Sequence, residues 1–177
     1  LKTEIRHILP ELDAVAHVTG YSSSSYIYDG DVQLQAQRGL RIYILVTDAS
    51  DIPRAGKVLF DRLWLAGHGY YALSKSGGML NRSAIDSGVW QPSRLDFASG
   101  AQCTAPINQR RPAMTASNGD MLDTRGLLPD LSDAERSRLD TLQAAAKQAI
   151  KPQAARIRDE YTTDRAKQQL DREGVNN

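Results

Sequence analysis

The run Arg41-Ile42-Tyr43-Ile44-Leu45-Val46-Thr47 decides the fold. It is rich in β-branched and aromatic residues and has no regular polar alternation, which predicts a central strand buried on both faces. A helix is predicted directly after it, because Ser50 or Asp51 can cap a helix and Pro53 suits its first turn. Gly67 marks the end of this predicted helix.

Two further strands are predicted downstream of this helix, at Tyr70–Lys75 and Met79–Ile85. The residues between them, Ser76-Gly77-Gly78, suit a tight hairpin turn. The order strand, helix, strand, strand predicts an α+β fold with a largely antiparallel sheet.

The flanking segments have weaker patterns. Apolar residues at helical spacing within residues 1–12 predict a short helix, and Ala14–Val18 predicts a strand. Residues 98–131 contain several Pro, Ser, Asn and Gly and predict an irregular connector. Ser132-Asp133-Ala134-Glu135 has capping-box spacing and predicts a helix that begins at Asp133. Pro152 either breaks this helix or starts a second one.

The composition favours a globular chain of one domain or one and a half. The 177 residues are 41% apolar and carry 22 basic and 21 acidic side chains. Because the net charge is close to zero, an anionic partner would have to bind a local cluster of cations. No apolar run approaches the ~18 residues of a bilayer span, and no signal-peptide pattern opens the chain. Since the chain starts at Leu1, we expect a piece of a longer polypeptide. With one cysteine, Cys103, it can form no disulfide within the chain, which fits a soluble protein of the reducing cytoplasm.

The aromatic residues divide the chain, because all except Tyr161 precede residue 117. This distribution predicts a core domain at residues 1–116, a linker at 117–131 and a helical tail at 132–177. The apolar stripes of the tail are thin and need a partner surface, which favours an interaction or linker role.

Asp86 is the most informative carboxylate, because Ile85 precedes it and Val89 and Trp90 follow. A carboxylate in apolar surroundings needs a cation, hydrogen-bond donors or a metal ion. If the strand continues to Asp86, Arg82 lies on the same face. The pair could serve a metal-bound triphosphate or form a structural ion pair, and the structural alternative is the more common.

Several cations and hydroxyls could bind phosphate. Arg41 begins the apolar strand, and Arg38 lies just before it. Lys75 stands beside the glycine turn, whose N–H groups could meet a phosphate, although most such turns only reverse the chain. The Ser22–Ser25 run is either a solvated loop or a set of hydroxyls for phosphate oxygens.

Other motifs carry less information. The sequence contains neither a P-loop nor a dinucleotide-binding fingerprint, which argues against ATPase and dehydrogenase functions. Asp29-Gly30-Asp31 has the spacing of a metal-binding pair but is more typical of a hairpin turn. The three histidines, His7, His17 and His68, form no metal-binding pair.

An ordered set of segments between residues 10 and 115 carries a resemblance to a known family. These are Gly20-Tyr21-Ser22-Ser23-Ser24-Ser25, Arg38-Gly39-Leu40-Arg41 with the strand after it, Arg62-Leu63-Trp64-Leu65-Ala66-Gly67, Ser74-Lys75-Ser76-Gly77-Gly78-Met79-Leu80 and Arg82-Ser83-Ala84-Ile85-Asp86. Together they resemble archaeo-eukaryotic-type primases, and more narrowly the primase-polymerase modules that phages and mobile elements place ahead of a replicative helicase.

The resemblance implies an RRM-like catalytic core that makes primers by template-directed nucleotidyl transfer. Asp86 matches the family's third motif and would ligate Mg²⁺ or Mn²⁺. Arg41 occupies the position of the family's phosphate-binding His and would contact the incoming NTP or dNTP. The remaining nucleotide-binding residues would be Ser24, Ser25, Arg38, Lys75 and Arg82. A single-stranded DNA template and a helicase domain are the implied partners, and no membrane is involved.

The chain departs from the family pattern in two ways. The first is that Arg41 replaces His. Because Arg keeps its charge and binds phosphate bidentately, phosphate binding could survive the change. The alternative is that the site has diverged and activity is weak. Asp29 and Asp31 lie too close before Arg41 to be the family's first acidic pair, which we therefore expect upstream of Leu1. The alternative function is a catalytically incomplete primase-derived module that binds single-stranded nucleic acid or a helicase partner.

Overall fold

The computed structural model describes residues 2–91, 93–96 and 98–174, and the side chains of 170, 173 and 174 lie outside the description. The helices are α1 (Lys2–Ile8), α2 (Ile52–Leu63), α3 (Thr124–Leu127) and α4 (Asp133–Gly174), with short 3₁₀ turns at Pro10–Asp13 and Ala49–Asp51 and a π turn at Trp64–His68. The strands are β1 (His17–Tyr21), β2 (Ile27–Asp29), β3 (Val32–Gln35), β4 (Leu40–Ile44), β5 (Tyr70–Leu73), β6 (Met79–Arg82), β7 (Ile107–Gln109) and β8 (Thr115–Ser117).

The chain divides into two compact units. The first contains the described residues of Leu1–Lys57 and Gly88–Pro129, and the second contains those of Val58–Ser87 and Asp130–Asn177. Both are mixtures of helix and antiparallel strands, so the predicted α+β class is confirmed. Among the described residues, no helix combines the length and the apolar character that crossing a bilayer requires.

Two small antiparallel sheets form the first unit. β1 lies between β4 and β8 in one sheet, and β2 lies between β3 and β7 in the other. The strand predicted at residues 41–47 exists as β4, but the prediction that it is central and buried on both faces is wrong. β4 is an edge strand because β1 takes the central place, and Tyr43 is 39% exposed.

A buried polar network joins the start of α2 to α3 in the same unit. The Nε and Nη2 of Arg54 donate to the two carboxylate oxygens of Asp51, both at 2.7 Å, and the hydroxyl of Thr124 donates to Asp51 at 2.6 Å. Arg54 also donates to the carbonyl of Leu128 at 2.8 Å. The buried apolar side chains of this unit include Ile5, Leu9, Leu12, Val15, Ala55, Leu122 and Leu128.

The second unit packs the β5–β6 hairpin and the π turn against α4. Leu63, Trp64, Leu139 and Ala154 are buried here, and the indole N–H of Trp64 donates to Asn81 Oδ1 at 2.8 Å. Gly67 has a φ of +86° at the end of the helical segment, so the predicted stop is confirmed.

Several local predictions are confirmed. The first helix and the capping box are present, since Ser132 N donates to Glu135 Oε2 at 2.8 Å and Glu135 N donates to Ser132 Oγ at 3.3 Å. Asp29-Gly30 reverses the chain between β2 and β3, with Gly30 at a φ of +54°.

Three local predictions are wrong. Residues 98–131 are not irregular throughout, because they contain β7, β8 and α3. Pro152 neither breaks nor restarts a helix, since it lies inside α4, a continuous helix of 42 residues. The strand expected at Met79–Ile85 ends at Arg82, so Asp86 lies beyond β6 rather than on its face.

Candidate nucleotide-binding site

The pairing of β1 with β4 brings the serine run next to the segment that precedes Arg41. Gly20 lies opposite Arg41 in the register, and Tyr21 lies opposite Leu40. The pairing continues beyond the strands, where Ser22 N donates to the carbonyl of Gly39 at 2.9 Å. Two segments that the sequence analysis singled out separately are therefore neighbours in the first unit.

Ser25 fastens these two segments together. Its side chain is fully buried, and its Oγ accepts from Arg38 N at 3.0 Å and from Gly39 N at 3.4 Å. A Cβ added to Gly39 would lie 3.2 Å from Ser22 Cβ, so the close approach favours glycine. Ser25 thus holds the loop in place, whereas Ser24 is exposed with its Oγ 3.3 Å from Ser22 Oγ.

Arg41 presents an unsatisfied donor beside this loop. Its side chain is 21% exposed, and its Nε lies 3.3 Å from Asp96 Oδ1. Its Nη1 is buried and has no hydrogen-bond partner among the described residues. A buried donor without an acceptor costs about 1–3 kcal/mol, so the site favours an acceptor from outside.

Asp96 links Arg41 to Tyr43, two residues further along the same face of β4. The hydroxyl of Tyr43 donates to Asp96 Oδ2. The pKa of the Tyr43 phenol is raised, first by burial and then by this hydrogen bond and the charge of Asp96. Sequence reasoning missed Asp96, because nothing in an irregular segment 53 residues after Tyr43 signals the contact.

Arg38, by contrast, is exposed. The first unit therefore brings Ser24, Ser25, Arg38 and Arg41 into one region, with Asp96 as an added member. Two buried side-chain donors on the β1–β4 pair have no hydrogen-bond partner among the described residues, the Nη1 of Arg41 and the hydroxyl of Thr19, and of these the guanidinium carries the charge.

The other predicted site residues belong to the second unit. Asp86 is 42% exposed, and its Oδ1 lies 3.9 Å from Arg82 Nη1. The expectation that Asp86 lies in apolar surroundings is wrong, because the strand ends before it. The two side chains form a half-exposed ion pair in this structure.

Lys75 is exposed in the β5–β6 turn. The two glycine N–H groups of this turn are already used, since Gly77 N donates to Ser74 O at 3.0 Å and Gly78 N donates to Ser74 Oγ at 2.8 Å. The positive φ of Gly77 and its tight approach to α4 explain the glycine. The turn therefore reverses the chain and contacts a helix, and these N–H groups are not available to a phosphate.

The described residues contain no group of three or more His, Cys, Asp or Glu that could hold a metal ion. Among the site residues predicted from the sequence, Asp86 is the one carboxylate. Mg²⁺ commonly binds one or two protein carboxylates together with substrate phosphates, and Asp86 could be one of those carboxylates.

Comparisons with protein-family models, with curated proteins and with solved structures found no match.

Proposed function

We propose that this chain is part of a primase-polymerase and that its first unit binds the triphosphate of the incoming nucleotide through Arg41. In this proposal the β1–β4 sheet belongs to an RRM-like primase core, and the reaction is template-directed nucleotidyl transfer. The protein would act in the cytoplasm in replication of a phage or mobile element, with a single-stranded DNA template and a helicase partner.

The buried Nη1 of Arg41 carries the proposal. A guanidinium N–H held away from water favours a strong acceptor, and phosphate oxygens match the guanidinium geometry bidentately. Asp96 neutralises Arg41 only from its Nε side, at 3.3 Å. The Ser22–Ser25 loop next to Arg38 and Gly39 adds exposed hydroxyl and backbone groups to the same region.

The metal-dependent half of the proposal assigns Asp86 as one ligand of Mg²⁺ or Mn²⁺, with further carboxylates supplied from outside the described residues. Such ions neutralise charge on the transferring phosphoryl group when they are bound. Lys75, Arg82 and Arg38 would add positive charge for the triphosphate. The exposure of Asp86 is compatible with a ligand that meets its ion only in the presence of nucleotide.

Triphosphate binding tests the role of Arg41. A fluorescent nucleoside triphosphate is titrated into the protein with Mg²⁺ or Mn²⁺, and Arg41→Ala should weaken binding about tenfold or more, the loss expected when a charge-assisted hydrogen bond of about 1.5–3 kcal/mol is removed. Arg6→Ala is the matched control, because Arg6 also pairs with an exposed carboxylate, Asp13, in the same unit. Equal affinities for the two variants would refute the assignment.

Primer synthesis tests the role of Asp86. In the full-length natural protein, Asp86→Ala should abolish synthesis on a single-stranded template, whereas Asp130→Ala, a carboxylate elsewhere in the second unit, should not. Full synthesis by Asp86→Ala would overturn the metal-ligand assignment and leave the Arg41 result standing.

The alternative is a module that binds single-stranded nucleic acid or a helicase without catalysis. Arg41 in the position of the family's phosphate-binding His favours it. The two functions differ in metal dependence, because a pure binder shows no triphosphate affinity that requires Mg²⁺ or Mn²⁺.

A further inference from the structure

We propose that the nucleotide bound at Arg41 rests its base on an open apolar face of the β4–β1–β8 sheet, by stacking and without selecting one base over another. This surface, which we call the apolar face, consists of Val18, Tyr43, Leu45, Met114 and Ala116. The inference rests on the proposed function, because Arg41 is taken as the residue that binds the triphosphate. It adds a separate subsite for the nucleoside.

Strand register places the apolar face on the same side of the sheet as Arg41. Directly opposite residues of an antiparallel pair share a face, as do alternate residues along one strand. Gly20 lies opposite Arg41, and Val18 lies opposite Tyr43 on one side and Ala116 on the other. Arg41 therefore stands in one row with Gly20, and the next row across the three strands is apolar.

Met114 covers Gly20 beside Arg41. It directly precedes β8, and a Cβ added to Gly20 would lie 3.0 Å from Met114 Cγ and 3.2 Å from its Cε. Because glycine has no side chain, the thioether can lie close to the strand, and Met114 is still 42% exposed. Methionine is flexible and polarisable and makes favourable contacts with aromatic rings. Met114 thus gives the row of Arg41 an adaptable apolar surface.

The apolar face is open, whereas the other side of the sheet is packed. Leu45 is 59% exposed, and Tyr43 and Ala116 are also exposed. On the other side, His17 of β1 is buried, and so is Val15, two residues before it. Contiguous exposed apolar side chains mark a binding surface more often than isolated ones do.

The charge at the edge of the apolar face indicates what covers it. Arg41 has a buried Nη1 without a partner among the described residues, so it favours an anionic group there. Tyr43 follows two residues later on the same face, about 7 Å along the strand. A ligand that suits both residues carries an anion and, a short distance away, a flat apolar group. A nucleoside triphosphate has this arrangement, because one ribose joins its base to its phosphates.

The chemistry of the apolar face favours stacking over recognition of a particular base. Four of its five side chains are aliphatic or a thioether, and the hydroxyl of the fifth, Tyr43, already donates to Asp96. Stacking tolerates every base, because every base has a π-face. A template-directed enzyme needs this tolerance, since base pairing with the template selects the nucleotide.

Isothermal titration calorimetry can compare ATP with inorganic tripolyphosphate, which has the phosphates and no base. Tripolyphosphate carries the greater negative charge, so a preference for ATP must come from the nucleoside. In the presence of Mg²⁺ the wild-type protein should bind ATP about tenfold more tightly, the gain expected from stacking one base. Met114→Ala should reduce this preference to about threefold or less. Val32→Ala truncates an exposed apolar side chain in the other sheet of the same unit and should leave the preference unchanged.

Conservative variants separate a stacking surface from a structural role. Met114→Leu keeps an apolar surface and Tyr43→Phe keeps the ring, so both should retain the preference for ATP, whereas Tyr43→Ala should lose it. The preference is a ratio within each variant, so an effect transmitted through Asp96 to Arg41 alters both ligands alike. Circular dichroism verifies that each variant is folded.

Base tolerance has its own measurement. ATP, GTP, CTP and TTP should bind the wild-type protein with affinities within about threefold of one another. A preference of more than about tenfold for one of them would contradict a subsite that only stacks.

The outcomes distinguish this subsite from the role of Arg41. Equal wild-type affinities for ATP and tripolyphosphate, both weakened by Arg41→Ala, would overturn the base subsite and leave the triphosphate assignment standing. Failure of both ligands to bind would overturn both assignments. Equal losses of preference in Met114→Ala and Val32→Ala would contradict a specific surface. A wild-type dimer that dissociates in Met114→Ala, with an unchanged preference for ATP, would assign the apolar face to a second copy instead.

Discussion

Asp96 lies 3.3 Å from the Nε of Arg41 and accepts a hydrogen bond from the hydroxyl of Tyr43. One carboxylate therefore orients two side chains of β4, and it leaves the Nη1 of Arg41 as the buried donor without a described partner. This relationship makes Asp96 a positioning residue in the proposed nucleotide site.

Asp96→Asn should weaken triphosphate binding less than Arg41→Ala does, because the guanidinium remains but loses its orientation. The substitution should also lower the pKa of Tyr43, since Asp96 raises it by hydrogen bonding and charge. Burial, the largest cause of the raised pKa of Tyr43, is unchanged by the substitution. Ultraviolet titration measures both proteins, with Tyr43→Phe in each background to isolate this one of the seven tyrosines. An unchanged pKa would contradict the contact.

Asp51 should make the first unit sensitive to acid. Hydrogen bonds from Arg54 and then Thr124 hold the pKa of the Asp51 carboxyl far below its usual range. Because the pKa of Asp51 is lower in the folded protein than in the unfolded chain, the ionised Asp51 stabilises the fold above the unfolded pKa of about 3.9. This contribution is lost progressively as the pH falls below that value. Urea unfolding between pH 3 and pH 7 measures the effect.

Asp51→Asn should lower the urea midpoint at pH 7 and flatten the acid limb of the stability profile. Asp13→Asn is the control, because Asp13 forms an exposed ion pair with Arg6 in the same unit and such pairs contribute little. Similar acid limbs in the wild type and Asp51→Asn would contradict the role assigned to this carboxylate.

The elements that follow from local chemistry were predictable from the sequence. The capping box at Ser132, the stop at Gly67 and the Asp29-Gly30 turn each depend on a few neighbouring residues, and each is present. Strand position was not predictable from the run 41–47, because the same apolar pattern suits a central strand or an edge strand. β1 takes the central place because β8 pairs with its other side, and β8 is a three-residue strand, Thr115–Ser117, whose sequence has no strand signal of its own.

The candidate site was only partly predictable. Ser25 and Arg41 could be identified as polar groups near a strand, but the hydrogen bonds that make Ser25 a structural residue join it to backbone groups 13 and 14 residues away. Asp96 is still more distant in sequence. For Asp86, hydropathy suggested burial, whereas the end of β6 at Arg82 releases the side chain toward solvent.

Pro152→Ala should raise the free energy of unfolding by about 1–3 kcal/mol. Pro152 is exposed inside a continuous helix, where proline removes one backbone hydrogen bond and clashes with the preceding turn at a cost of about 3 kcal/mol. The loss of proline's restraint on the unfolded chain offsets part of the gain. Chemical denaturation measures the difference. A neutral or destabilising effect would indicate that a second helix starts at this proline.

Gly77→Ala should destabilise the second unit more than Gly30→Ala destabilises the first. Both glycines have positive φ, +75° and +54°, so alanine carries a similar backbone cost of about 1–2 kcal/mol at each. Only at Gly77 does the added Cβ also clash, 2.5 Å from the Ala154 carbonyl, whereas nothing lies within 4 Å of one at Gly30. Hydrogen exchange should show faster opening of the β5–β6 hairpin and of α4 around Ala154 in Gly77→Ala. Equal effects of the two substitutions would contradict the close packing of this turn against α4.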